Sequence, residues 1–144
     1  MGNKRMIINW ILLIAWMLLI FLMSNQPAHI SNQQSNSFIN MLAFFGIDLN
    51  SKLGSLASFV VRKTAHFTEY AVLGFFTYKA VSCDVLDRKK AVLIAQLIST
   101  GYASTDEIHQ MFVPGREGKV FDVMIDSCGA FCGIMLSLIS QKLI

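Results

Sequence analysis

The longest apolar run of the chain lies near its start. Residues 6–23 are hydrophobic except for Asn9. A helix needs about 20 predominantly apolar residues to span a bilayer, so this run predicts a transmembrane helix. Lys4 and Arg5 precede the run, as in a signal peptide, but the run is long for one and no small-x-small cleavage motif follows it. The pattern therefore favours an uncleaved anchor.

Three further apolar segments, at residues 57–78, 91–112 and 120–140, predict additional spans, with a turn at Pro114 and Gly115 between the last two. Residues 24–37 are rich in Ser, Asn and Gln. Residues 38–45 are amphipathic but too short to cross, which is typical of an interfacial helix. We therefore predict an all-α fold in one domain, residues 1–144. Its architecture is a polytopic membrane bundle of four transmembrane helices plus a short interfacial helix after the first span.

Composition agrees with a membrane protein. Of 144 residues, 54% are hydrophobic and 15% are charged, whereas an ordinary soluble domain has about 25% charged residues. The chain shows no Gly-rich phosphate loop, no serine nucleophile motif, no HExxH zinc motif and no nucleic-acid signature. We expect the lipid bilayer, and not a nucleic acid, to be its partner.

Basic residues predict the orientation, because cytoplasmic loops carry an excess of Lys and Arg. With a cytoplasmic N-terminus, seven of the twelve Lys and Arg residues lie inside and five lie outside. The dense loop that ends in Arg88, Lys89 and Lys90 decides the assignment, and Lys142 adds to the inner count. Both termini are expected in the cytoplasm.

Charged residues interrupt the second, third and fourth predicted spans. Ionisable groups at membrane depth persist mainly where they pair, line a wet cavity or perform chemistry. In the predicted orientation, all of them lie near the outer surface, and helical periodicity places most of them on inward faces. We expect one pocket, capped by Arg116. The face of the second span carries Arg62, His66, Glu69 and Tyr70, with Lys63 at its edge. The face of the third span carries Tyr102, Asp106 and Gln110, and that of the fourth carries Asp122 and Asp126. Gly129 and Gly133 follow on the fourth face and allow close helix contact. Glu107 and His109 fit the second face less well.

Simpler explanations exist for these charges. Arg62 and Lys63 could be basic side chains that extend from a helix end to the membrane interface. Asp106 and Asp126 could belong to structural ion pairs. The balance of charge argues against pairing alone, because five acids face three bases. Surplus carboxylates in a low-dielectric pocket hold a proton, a cation or a metal, so a divalent cation is one expectation.

Four ordered motifs carry a resemblance to a known family. They are Lys63-x-x-His66-Phe67-x-x-Tyr70, Asp106-Glu107-x-x-Gln110, Pro114-Gly115-Arg116 and Asp122-x-x-x-Asp126-x-x-Gly129. Together they resemble the VanZ-like family over about residues 6–140. The resemblance implies a multi-pass protein of the bacterial cytoplasmic membrane. Because the founding member is associated with teicoplanin resistance, it also implies a link to that glycopeptide phenotype, but no particular reaction.

Two functional classes follow from the predicted pocket. In an enzyme acting on a lipid-linked envelope substrate, His66 or Glu69 is the general base, and Asp106, Asp122 and Asp126 orient groups or bind a metal. Arg62, Lys63 and Arg116 then hold an anionic head group, with Tyr70 and Gln110 completing the binding set. In the alternative, the protein is a non-catalytic binding, transport or scaffold module for a lipid, a cell-wall precursor, a glycopeptide or a membrane-protein partner. The sequence does not choose between them.

Overall fold

The computed structural model describes residues 2–141, and these residues form an all-helical fold. Between residues 2 and 141 no strand occurs, so the predicted all-α class is confirmed. Lys142, which was counted in the orientation argument, lies outside the described residues. The helices are α1 Gly2–Ser24, α2 Ala28–Phe44, α3 Leu49–Leu53, α4 Ala57–Asp84, α5 Arg88–Gln110 and α6 Val120–Ser140, with a 3₁₀ turn at Gly54–Leu56.

Each of the four predicted spans coincides with a long helix, but within the described residues only two of these helices are candidate membrane spans by length and composition. Within residues 2–141, the segments Asn3–Ser24 and Val120–Ser140 are long and apolar enough to cross a bilayer. The other two helices, α4 and α5, do not meet the same criterion. Both contain polar as well as ionisable residues among the apolar ones. Two apolar helices thus support the membrane character of the chain.

The helix α2 is longer than the sequence predicted. Residues 38–45 were expected to form a short interfacial helix after a polar linker, whereas α2 already begins at Ala28. The polar residues do not interrupt it, since the hydroxyls of Ser35 and Ser37 donate to the carbonyl oxygens four residues earlier. Ser35 and Ile39, one turn apart, are buried. A polar segment therefore contributes a packed helix face.

The helix α4 lies at the centre of the fold and packs against α1, α2, α5 and α6. Its side chains Tyr70 and Leu73 are fully buried, together with Leu13 and Ile20 of α1 and Ala103 of α5. The outer surface of α1 is apolar, with exposed residues such as Ile11, Ile14 and Leu18. Burial is thus concentrated around α4, and a hydrophobic exterior surrounds it.

Glycines allow α4 and α6 to approach backbone to backbone. A Cβ atom on Gly129 of α6 would collide with the carbonyl oxygen of Phe67, and one on Gly133 would collide with that of Ala71. Gly74 of α4 meets Ala130 of α6 in the same way. The close helix contact predicted from Gly129 and Gly133 is confirmed. It fixes the position of Asp126, which precedes Gly129 by about one turn of α6.

Candidate functional site

A cavity of about 710 Å³ lies between α1, α2 and the first half of α4. Its wall combines ionisable and apolar side chains. Asp106 of α5 and Arg116 of the α5–α6 turn complete it. The ionisable residues in the wall are Arg62, His66, Glu69, Asp106 and Arg116, and the larger apolar ones are Trp16, Ile20, Phe38, Leu42, Val60 and Val72.

Arg116 connects the α5–α6 turn to the end of α1. Its Nε donates to the carbonyl oxygen of Gln26 at 2.9 Å, and Nη2 lies 3.5 Å from that of Met23. In the described part of the chain, this guanidinium forms no ion pair with a carboxylate, and the backbone of the α1–α2 connection accepts its hydrogen bonds instead. Burial lowers the pKa of Arg116, and the charge of Asp106 is the largest opposing influence. The side chain remains a cation at neutral pH.

Arg62 is held from the other side of the cavity. Its Nη1 donates to the side-chain oxygen of Asn32 at 3.0 Å, which links α4 to α2. Asn32 belongs to the stretch that the sequence assigned to a linker. The two arginines of the cavity wall are therefore both positioned by the α1–α2 region, and only a structure could identify that region as their support.

Lys63 does not line the cavity. Its Nζ pairs with Oδ2 of Asp122 at 2.5 Å on the opposite side of α4, facing α6. His66 lies between the two sides, since it lines the cavity and also interacts electrostatically with Lys63 and Asp122. Residues that were predicted to share one pocket are thus divided between two faces of α4.

The neighbouring acids Asp106 and Glu107 are both buried, at 4% exposure each. Oδ2 of Asp106 accepts a hydrogen bond at 3.0 Å from Nε2 of Gln110, which lies one turn later in α5. Oε2 of Glu107 accepts from the backbone N–H of Lys119 at 2.9 Å, at the start of α6. Sequence periodicity ranked Glu107 low, yet this carboxylate fixes the α5–α6 connection. Its negative charge also stabilises the N-terminus of α6.

Asp126 of α6 and Tyr70 of α4 both lie in the interior of the fold. Asp126 is 1% exposed and Tyr70 is fully buried. Within residues 2–141, neither oxygen of the Asp126 carboxyl group nor the Tyr70 hydroxyl has a hydrogen-bond partner. Neither residue lines the cavity. Neither the predicted binding role of Tyr70 nor the predicted catalytic role of Asp126 can therefore involve direct contact with a ligand in this cavity.

A preformed multidentate metal site is not observed. In the described range 2–141, no three or more His, Cys, Asp or Glu side chains come together as a group that could hold a metal ion. The acidic residues are instead distributed among separate contacts, to Lys63, to Gln110 and to the backbone of Lys119. The chemistry available at the cavity is that of two guanidinium groups, one imidazole and two carboxyl groups.

Comparison with protein families gives one match. The model described as VanZ/LLP1 matches residues 9–141, nearly the whole chain, and covers all the motifs described above. Comparisons with curated proteins and with solved structures returned no match. The match spans α1 to α6 and both faces of α4, in agreement with the resemblance seen in the sequence. The chain belongs to the VanZ/LLP1 family.

Proposed function

We propose that this protein spans the bacterial cytoplasmic membrane four times and binds an amphiphilic, lipid-linked envelope molecule in an outward-facing cavity. The observation that carries the proposal is the mixed wall of the 710 Å³ cavity, where Arg62 and Arg116 lie beside apolar side chains of α1, α2 and α4. Guanidinium groups are suited to phosphate and carboxylate head groups. The apolar residues suit an acyl or prenyl chain, because ligand sites are typically apolar with a few placed polar groups.

The four-span topology is consistent with the lengths and buried faces of α4 and α5. These helices have 28 and 23 residues, which corresponds to roughly 42 and 35 Å at 1.5 Å per residue. Asp106 and Glu107 of α5 are buried, so their charges do not face lipid. A helix whose ionisable groups point into the protein can cross a membrane despite a low mean hydropathy.

The predicted orientation, with both termini in the cytoplasm, places the cavity at the outer side. The wall residues come from the end of α1, the beginning of α4 and the end of α5, which all lie toward the same surface in that topology. Such a cavity is accessible to cell-wall precursors and to glycopeptides outside the membrane. This placement is the basis for extending the family's teicoplanin phenotype to this chain as part of the proposal.

A catalytic version of this function is the second candidate. His66 and Glu69 line the cavity about one turn apart, and within the described residues neither side chain makes a hydrogen bond. Their polar atoms are therefore available to a substrate, as a general base requires. Asp122, by contrast, is engaged with Lys63. We assign the candidate base to His66 or Glu69, with Asp122 and Asp126 as supporting groups.

A binding experiment tests the proposed ligand class. The purified protein in nanodiscs is titrated with a polyprenyl phosphate and, separately, with the matching uncharged polyprenol. Arg62→Gln should weaken binding of the phosphate about tenfold or more, because a charge-assisted hydrogen bond is lost. Lys52→Gln is the matched control, since Lys52 is an exposed base of α3 outside the cavity wall. Equal binding of phosphate and alcohol, or equal loss in both variants, would overturn the proposal.

A cellular assay separates binding from chemistry. Teicoplanin susceptibility is measured in cells that express the wild-type protein, Arg62→Gln or His66→Gln, with expression levels matched. If His66→Gln binds the polyprenyl phosphate normally but loses protection, the catalytic candidate is supported. If binding and protection fall together, the protein is a binding module. Protection by Arg62→Gln equal to that of the wild type contradicts a role for the cavity in this phenotype.

A further inference from the structure

The helix α6 carries a buried carboxyl group that lies outside the cavity wall. Asp126 is 1% exposed, and neither of its oxygens has a hydrogen-bond partner among residues 2–141. A carboxylate buried without a partner is strongly disfavoured relative to its neutral acid, because burial removes the water that stabilises the charge. The observation concerns a different part of the fold from the cavity wall.

The surroundings of Asp126 strengthen this argument. The charged groups that interact with it are Glu107 and Asp106 from α5, Asp122 from its own helix and Lys63 from α4. Three of these four are acids. The single base, Lys63, is already paired with Asp122. A negative charge on Asp126 would therefore face mainly like charges.

Tyr70 of α4 provides a second buried polar group in this region. Its side chain is fully buried, and within residues 2–141 its hydroxyl has no hydrogen-bond partner. It interacts electrostatically with Asp126 and with Asp106, which lines the cavity. Asp126 and Tyr70 are thus two buried polar groups without partners among residues 2–141, and both interact electrostatically with Asp106.

We propose that Asp126 is a proton-binding site: its carboxyl group carries a proton in the folded protein at neutral pH. A proton is the ligand that fits, because Asp126 is almost fully buried and its charged neighbours are mainly acids. The bound proton removes the charge and gives Asp126 a donor. The proposal is independent of what the cavity binds.

Infrared spectroscopy of the purified protein in lipid at pH 7 tests this site. The wild type should show the C=O stretching band of a protonated carboxylic acid, and Asp126→Asn should lack its main component. Asp48→Asn is the control, since Asp48 is exposed and Asn retains the helix-capping function of Asp48. Absence of the band in the wild type, or an unchanged band in Asp126→Asn, overturns the proposal.

A second variant keeps the test decisive if Asp126→Asn does not fold. Asp106 and Asp126 are the buried aspartates of the described chain. In Asp106→Asn protein labelled with carbon-13 at the aspartate carboxyl carbons, a protonated-acid band from Asp126 must remain and must shift with the label. A band that disappears in Asp106→Asn would assign the proton to Asp106 and contradict the site.

Discussion

The ammonium nitrogen of Lys63 lies 2.5 Å from Oδ2 of Asp122, which joins the first half of α4 to the first turn of α6. The two side chains are 19% and 16% exposed, so solvent screens the pair only in part. Lys63 is thereby held on the face of α4 opposite the cavity. Lys63 thus forms an ion pair with Asp122, and not with Asp106 or Asp126, which were the acids considered for structural ion pairs.

Breaking this pair should destabilise the protein. We expect Lys63→Gln to lower the free energy of unfolding by about 1–3 kcal/mol, between the values typical of exposed and fully buried pairs. Asp122→Asn should have a similar effect, and the double variant should lose less than the sum of the two. Lys119→Gln, which breaks the exposed pair with Glu117, is the control and should change little. Additive effects of the two single substitutions would show that the pair is not coupled.

The glycines of the α4–α6 contact should tolerate no side chain. In Gly133→Ala, the added methyl group collides with the backbone carbonyl of Ala71, and we expect a loss of about 1–3 kcal/mol from overpacking. Gly101→Ala in α5 is the matched control, because its Cβ meets nothing within 4 Å. Removing a glycine from a helix interior should there stabilise the protein by about 0.5–1 kcal/mol. Thermal unfolding in one detergent compares both variants, and equal melting temperatures would contradict the close contact.

The helical fold was predictable because apolar runs and helix termini are local properties of the sequence. The apolar runs at 6–23, 57–78, 91–112 and 120–140 each coincide with α1, α4, α5 or α6. The extent of α2 was not predictable, since it depends on burial of Ser35 and Ile39 against other helices. Tertiary packing here overrides a composition that is typical of a linker.

The sequence predicted which helix faces carry the candidate site, but not which partners each side chain contacts. Periodicity placed His66, Glu69 and Asp106 inward, and all three line the cavity. It did not predict that Arg116 donates to backbone carbonyl oxygens or that Lys63 faces α6. Such choices depend on distances between helices that are far apart in sequence, and helical phase contains no information about them.

Replacing Asp106 by Asn tests whether the charge or the shape of this residue matters. The Asn side chain retains an oxygen that accepts from Gln110, so folding and thermal stability should be preserved or improved. We expect protection against teicoplanin, or turnover of an identified substrate, to be lost, because the carboxyl group in the cavity wall can no longer exchange a proton or bind a cation. Asp48→Asn should retain full function. Full activity of Asp106→Asn would favour a purely structural role for this acid.

Cysteine accessibility tests the orientation on which the outward-facing cavity depends. The native residues Cys83, Cys128 and Cys132 are exposed and are first replaced by Ser or Ala. In intact cells, a membrane-impermeant maleimide should label Asn36→Cys and Glu117→Cys, which are exposed positions on the predicted outer side.

Leu86→Cys should remain unlabelled in the same cells and react only after the membrane is opened. Leu86 is 95% exposed and lies in the predicted cytoplasmic loop, so failure to react from outside reflects the membrane and not burial. Leu86 is a better labelling position than Asp87, because the side chain of Asp87 caps α5 and a cysteine there would remove the cap. Glu117 is likewise preferable to Gly118, where a Cβ would lie 2.5 Å from the carbonyl oxygen of Glu107. Labelling of Leu86→Cys in intact cells, with Glu117→Cys protected, would reverse the topology and turn the cavity toward the cytoplasm.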